Sequence, residues 1–212
     1  MHRNYRDQRQ TRFSIPSIIF VPNLALSPTV QHGSKKNKPN DVYVYSFPYL
    51  VDYYDIVAPN SKSVDDASFY WRVYNELKAL RAPFPADPFI VMDVGTGTGR
   101  VLHGLEASAI EAGADLVDTE FLGVDNAPHM LDKARQITTG LLQNRVSWVL
   151  GSALDLEATI AGRGDLKVGL LIFSIGSISH LSEDRQPETF LEEVSKILRP
   201  GTGRASVWCI ER

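Results

Sequence analysis

The sequence predicts an α/β protein built on a doubly wound, mostly parallel sheet with helices on both faces. Three observations carry that expectation. Short apolar runs alternate with stretches whose apolar residues recur at helical spacing. The first run, Phe89–Val94, leads into a turn with glycine at every second position: Gly95, Gly97 and Gly99. The second run, residues 121–124, ends on an acid, Asp125. Parallel pairing follows because each strand must be reached by a crossover long enough to hold a helix.

The elements follow in order. A helix is expected from about Asp65 and Asp66, acids that can cap free N–H groups and complement the positive end of a helix dipole. Phe69, Val73, Leu77 and Leu80 then form one apolar face, and Pro83 and Pro85 stop the helix. Phe89–Val94 has the continuous apolar character of a buried parallel strand. A helix over 99–112 turns Leu102, Leu105 and Ala109 inward and ends at Gly113. After the strand at 121–124, Pro128 suits a first helical turn, and that helix runs to about Gly140. Val146–Leu150 and 168–173 are the third and fourth strands. Pro187 opens a helix striped by Phe190, Leu191, Val194, Ile197 and Leu198. Arg199-Pro200-Gly201 breaks it, and 205–210 is the fifth core strand.

Length and composition bound the rest. The 212 residues suit a single domain, and 43% hydrophobic content supplies an ordinary core. A formal charge of −3 gives no sign of nucleic acid or an anionic membrane as partner. The charge is unevenly spread. Residues 1–40 hold seven Lys/Arg against one acid, whereas the other 172 hold 15 basic and 24 acidic side chains. Residues 1–41 are therefore expected as a basic, disordered or loosely packed lead. The four arginines at its start leave a mitochondrial presequence as the alternative to a cytoplasmic protein. Residues 42–86 form an aromatic lid and helix, and 87–212 the core. Lone Cys209 rules out an intrachain disulfide and a Cys-rich zinc site, and fits a reducing compartment. No run reaches the roughly 18 apolar residues of a membrane span. No cluster of Asp, Glu or His near the glycine turn has ligand spacing, so no metal is expected.

Glycine permits positive φ and close approach of backbone to a ligand. In an open α/β sheet the turn after the first strand lies at the carboxyl edge, where ligands bind. A nicotinamide fingerprint reads G-x-G-x-x-G. Here the third glycine comes one residue early, at Gly99, and Arg100 follows. Asp93, two residues before Gly95, would repel a pyrophosphate and suits a ligand with an ammonium group; the competing reading is a cap for the turn. A nicotinamide oxidoreductase is thus the disfavoured reading. Asp125, 26 residues after Gly99, can accept both hydroxyls of a ribose. Met130 suits core packing as well as an adenine contact. His180 is either a general base or a packing histidine. Tyr53, Tyr54 and Tyr70 are open to both a contact and a packing role.

Three segments together closely resemble the class I S-adenosylmethionine-dependent methyltransferases. They are D-V-G-T-G-T-G-R from Asp93, G-V-D-x-x-P-x-M-L from Gly123, and L-R-P-G-T-G-R from Leu198. The resemblance covers about residues 50–210. Tyr54-Asp55 and Asp66-x-x-Phe69-Tyr70 resemble the small-molecule members, whose lead lids the cofactor. The resemblance implies a Rossmann-like sheet, S-adenosyl-L-methionine as cofactor, and a small-molecule acceptor with an O-, N- or S-nucleophile. It implies that Asp93 with Gly95, Thr96, Gly97 and Gly99 holds the methionine moiety, that Asp125 holds the ribose, and that Asn126 and Met130 lie beside the adenine. Gly151-Ser152-Ala153 stands where the family often has G-D-A, so Ser152 and Ala153 would meet the adenine with a hydroxyl in place of a carboxylate. Val168 and Gly169 replace the aspartate that usually opens the fourth strand. Residues 173–181 fall where the family places substrate contacts. There Ser174 is assigned to the cofactor, and His180, with Tyr54 from the lid, to catalysis. N-P-P-Y, an acidic magnesium cluster and a Pro-Cys loop are all absent, which argues against adenine or glutamine, catechol and cytosine C5 acceptors.

The family's sheet normally has seven strands, the last two an antiparallel hairpin after the fifth. Only Glu211 and Arg212 follow residue 210, so a core truncated after strand five is expected. Its bare edge would favour an oligomer unless Ser17–Val21 or residues 42–47 pair with it. A non-catalytic S-adenosylmethionine-binding or interaction protein is the alternative this raises.

Overall fold

The computed structural model describes residues 17–21, 49, 51–52, 66–81, 87–174 and 177–208. Six strands form one sheet: β1 (Ser17–Val21), β2 (Phe89–Val94), β3 (Thr119–Asp125), β4 (Val146–Leu150), β5 (Leu170–Phe173) and β6 (Arg204–Trp208). Their order is β1-β6-β5-β2-β3-β4, and every pair is parallel. The helices are α1 (Asp66–Ala79), α2 (Arg100–Glu111), α3 (Pro128–Ile137), α4 (Leu156–Ile160) and α5 (Gln186–Ile197). This is the doubly wound, Rossmann-like architecture that the strand–helix alternation predicts.

A parallel sheet must be covered on both faces. All six residues of β2 are buried. On one face Ile90, Met92, Val94, Leu171 and Phe173 pack with Leu156 and Ile160 of α4 and with Phe190 and Val194 of α5. The rings of Phe173 and Phe190 lie 4.3 Å apart. On the other face Phe89, Val91, Phe121, Leu170 and Ile172 meet Tyr70, Val73, Tyr74 and Leu77 of α1 and Leu102, Leu105 and Ala109 of α2. The chain runs outward from β2 through β3 and β4, then returns to β5 on the other side of β2. That reversal puts a crevice at the carboxyl ends of β2 and β5, the place where open α/β sheets bind ligands.

Three expectations need correction. The bare edge after the fifth core strand is filled: β1 pairs in parallel with β6, from Ser17 against Arg204 to Val21 against Trp208. An apolar, central-type strand such as β6 carries a full row of N–H and C=O groups. The run Ser17–Val21, rich in β-forming residues, supplies partners for them. The oligomer expected through that edge loses its premise, and the basic lead is not loose throughout. Second, the inward face of α1 is rotated. Tyr70 and Tyr74 are buried, Phe69 is half-buried, and Leu80 lies beyond the helix, 62% exposed. A count of aliphatic residues misses tyrosines, yet a ring can be buried if its hydroxyl is satisfied, as Tyr74 is by Thr119 Oγ1 at 2.7 Å. Third, the fourth core strand begins at Leu170, with Val168 making only an isolated bridge to Leu198; the fifth begins at Arg204 and is described to Trp208, residues 209–210 lying outside the described residues. At the opposite edge the Arg135 guanidinium donates to the Trp148 carbonyl of β4 at 3.0 Å and so occupies an acceptor on the free side of the sheet.

In a parallel strand the N–H and C=O of one residue point to the same side, and those of the next residue point away. Only one of Ile18 and Ile19 can therefore donate to β6. Ile18→Pro and Ile19→Pro are expected to differ in stability by about 1–3 kcal/mol, the cost of a lost ladder bond and its stranded acceptor. Denaturant unfolding of the two variants checks this. Equal stabilities, both close to wild type, would contradict the β1–β6 pairing.

Candidate functional site

The turn after β2 is built from left-handed backbone. Gly95, Gly97 and Gly99 have φ of +65°, +58° and +87°, values that a side chain would oppose. The Thr96 N–H donates to the Val124 carbonyl at 3.0 Å, and the Gly99 N–H donates to the Thr96 carbonyl at 2.9 Å. The turn thus folds back over the ends of β2 and β3. A Cβ on Gly95 would stand 2.8 Å from Ser177 Oγ, so the segment after β5 closes directly on the turn. Gly99 has a different reason for being glycine. A Cβ there would come 2.4 Å from the Trp148 ring, and one on Gly123 would come 2.3 Å from it. Its bare Cα makes room for an indole, a packing requirement that holds whether or not its backbone also meets a ligand.

Two carboxylates anchor this turn. Asp93 is fully buried. Its Oδ2 accepts the Thr96 hydroxyl at 2.7 Å, and its Oδ1 has no hydrogen-bond partner. Burial pushes its pKa up to about 7; the Thr96 bond and Arg100 pull it down, while Asp66 and Asp125 raise it further. Asp125 ends β3. One of its oxygens accepts the Gly97 N–H and the other the Ala127 N–H, each at 2.8 Å. Burial also raises Asp125, opposed by those N–H donors and by nearby His180. It thereby stitches the glycine turn to the start of α3, and with the Asn126 N–H as a third backbone donor the carboxylate still keeps acceptor capacity. The Gly151 N–H donates to the Asp125 carbonyl at 3.0 Å and brings in the end of β4.

The other predicted residues differ in their surroundings. Thr96 and Ser174 are buried at the ends of β2 and β5. His180 is exposed at the end of a short 3₁₀ helix, Ser177–His180, and faces the Asp125 side of the site. Asn126 is exposed beside Asp125. Ser152 and Ala153 are half-buried: the Ser152 hydroxyl accepts the Leu154 N–H at 3.1 Å, and Ala153 packs against the core. Met130 is buried with Val51 and Ala127, a packing position. Tyr53 and Tyr54 lie outside the described residues. Tyr70 is wholly buried. Its hydroxyl, held neutral by burial, is turned toward that of Ser206, but neither closes a hydrogen bond.

Residues not singled out from the sequence also shape the site. Arg100 grips Asp66 with two bonds of 2.6 and 2.8 Å. Ser177 abuts Gly95, and Trp148 underlies the turn. For Arg100 a signal was available: a cation at the first helical position opposes the helix dipole and calls for an acid nearby. Among the described residues no group of three or more His, Cys, Asp or Glu is arranged to hold a metal ion, and no helix is long and apolar enough to cross a membrane.

A buried carboxylate oxygen without a partner needs a cation or a donor. The ammonium of an amino-acid moiety is both, so the donor set fits the cofactor that the resemblance implies.

The sequence pattern of a family described as methyltransferase domain matches residues 92–203. The N-methyltransferase FrzE of Cladobotryum sp. is 35% identical over 160 residues, 74% of this chain. The chain spans 55% of that relative's length. Two solved structures share the fold, each with a TM-score of 0.51. One is a Methanococcus maripaludis protein assigned as an S-adenosyl-L-methionine-dependent methyltransferase, with 18% identity, covering 83% of this chain and 68% of that one. The other is a sugar N-methyltransferase from Streptoalloteichus sp. ATCC 53650, with 16% identity, covering 88% and 60%.

Asp93 generates a pH prediction. Its pKa is raised on folding, so between its ordinary value and about 7 the folded state holds the proton more tightly. Its contribution to stability is fully present below its ordinary value of 3.8 and is lost progressively as pH rises from there to about 7, at up to about 1.4 kcal/mol per pH unit, with no further change above. Urea unfolding of the ligand-free protein at several pH values should show this slope relative to Asp93→Asn. An identical pH profile in the variant would contradict the buried, unpaired carboxyl.

Proposed function

We propose that this chain, which belongs to the methyltransferase-domain family, transfers a methyl group from S-adenosyl-L-methionine to a nitrogen of a small-molecule acceptor. One observation carries the cofactor half of the reading: the unpartnered Oδ1 of buried Asp93 beside the left-handed glycine turn. The acceptor half is supported by the 35% identical relative, itself an N-methyltransferase.

In this reading Asp93 takes the ammonium of the methionine end, and Gly95, Thr96 and Gly97 line it. Asp125 offers its remaining lone pairs to the ribose hydroxyls. Asn126, Ser152 and Ala153 border the adenine, with Met130 packing behind them. Ser174, at the end of β5, borders the cofactor, Ser177 and His180 lie beyond it on the side where an acceptor would enter, and Tyr54 joins catalysis from the lid. When bound, the cofactor supplies a methyl group on a sulfonium, which the acceptor takes by in-line displacement as the carbon–sulfur bond breaks and a neutral thioether leaves. No acid is needed for that departure. The chain's contribution is to align the reactants and exclude water. An amine acceptor attacks with its lone pair and reaches the site at neutral pH largely as ammonium. His180 is suited to take that proton before attack.

Methyl transfer from labelled cofactor to matched primary amines and alcohols tests the reading. Amines should be methylated and alcohols not. His180→Gln should lower kcat by about 10²-fold near pH 7, the lower end of general-base effects, and by less at higher pH, where the free amine predominates. Transfer to alcohols in preference to amines would contradict the nitrogen assignment.

A further inference from the structure

We propose that the Asp66–Arg100 ion pair is a positioning element of the cofactor site, clamping α1 onto the glycine turn and setting the charge that Asp93 feels. This inference rests on the cofactor reading above. Arg100 is the first residue of α2, directly after Gly99, and that helix start has no side-chain cap. A cation there is opposed by the helix dipole. Asp66, the first residue of α1, has a side chain with no exposure at all. It meets the guanidinium with two bonds, a geometry that Arg and carboxylate form with high directionality. Burying such a pair costs desolvation, and breaking it strands a charge. Its presence under the glycine turn is therefore a constraint on where the two helix starts sit.

The packing beside the pair points the same way. Gly104 lies one turn along α2 from Arg100, and a Cβ there would come 2.5 Å from that of Ala67. The two helices thus touch backbone to side chain at the level of the ion pair. Tyr70, one turn along α1 from Asp66, is buried under the influence of Asp66, Asp93 and Arg100 together. The groups that face Asp93 are Asp66 and Tyr70 from α1, Arg100 from α2 and Asp125 from β3, with Thr96 in the turn itself. Arg100 is the cation of that set. It favours the Asp93 carboxylate, and Asp66 opposes it.

A clamp that is only structural weakens the site in one way whichever partner is lost. An electrostatic one moves the titration of Asp93 in opposite directions. The test is calorimetric affinity for S-adenosylhomocysteine between pH 5.5 and 8.5, on the full chain and on Asp66→Asn, Arg100→Gln and Arg100→Lys. The ¹³C carboxyl titration of Asp93 in the ligand-free proteins accompanies it. The pH at which affinity is half lost should move down in Asp66→Asn and up in Arg100→Gln, each by about one unit, and stay near wild type in Arg100→Lys. Shifts in the same direction, or none, would overturn the proposal. If Arg100→Gln does not fold, the sign of the shift in Asp66→Asn decides alone. A wild-type chain without affinity for S-adenosylhomocysteine would instead overturn the cofactor reading, and the carboxyl titrations would still test the ion pair.

Discussion

A carboxylate with one unpaired oxygen is buried at the end of β2, and the rest of the site is arranged around its cost. Charge removed from water is expensive unless paired. Asp93 is fully buried, with a single hydroxyl donor from Thr96. Its neighbours do not neutralise it: Asp66 and Asp125 are also acids, and the Arg100 charge is already engaged by Asp66. A fold that buries such a group is suited to something positive arriving from outside. That is the physical sense in which the site precedes its cofactor.

The glycine turn makes this arrangement reachable. Its left-handed residues bring the chain back across the strand ends, and Asp125 secures it through the Gly97 N–H. Trp148 supports it from below and requires two bare Cα positions, Gly99 and Gly123, on neighbouring segments. The edge strand β4 therefore contributes to the site although none of its side chains needs to meet a ligand. The indole N–H donates to Thr138 Oγ1 at 3.1 Å, which ties the ring in turn to the end of α3.

The parts legible in the sequence were those written in local pattern. Phe89–Val94 could be read as a strand because it is buried on both faces, and its glycines and Asp93 are contiguous with it. Asp125 was legible because one helix and one strand separate it from the turn by a predictable length. What was hidden depends on partners distant in sequence. The β-forming residues of Ser17–Val21 made it one of two candidates for the edge, but nothing local in it says that it, and not residues 42–47, pairs with Arg204–Trp208. The packing reason for Gly99 is invisible locally, because the Trp148 ring that fills the space beside it lies 49 positions later. The rotated face of α1 was obscured because a tyrosine counts as polar or apolar according to its surroundings, and for Tyr74 the hydroxyl partner, Thr119, lies far along the sequence on β3.

The central claim is that Asp93 recognises an ammonium group. Calorimetry comparing S-adenosylhomocysteine with its analogue lacking the α-amino group measures that directly. Wild type should prefer the amine-bearing ligand by roughly 10–100-fold, the scale of one hydrogen bond between charged groups, and Asp93→Asn should lose most of that preference. Equal affinity of the wild type for the two ligands would contradict the account.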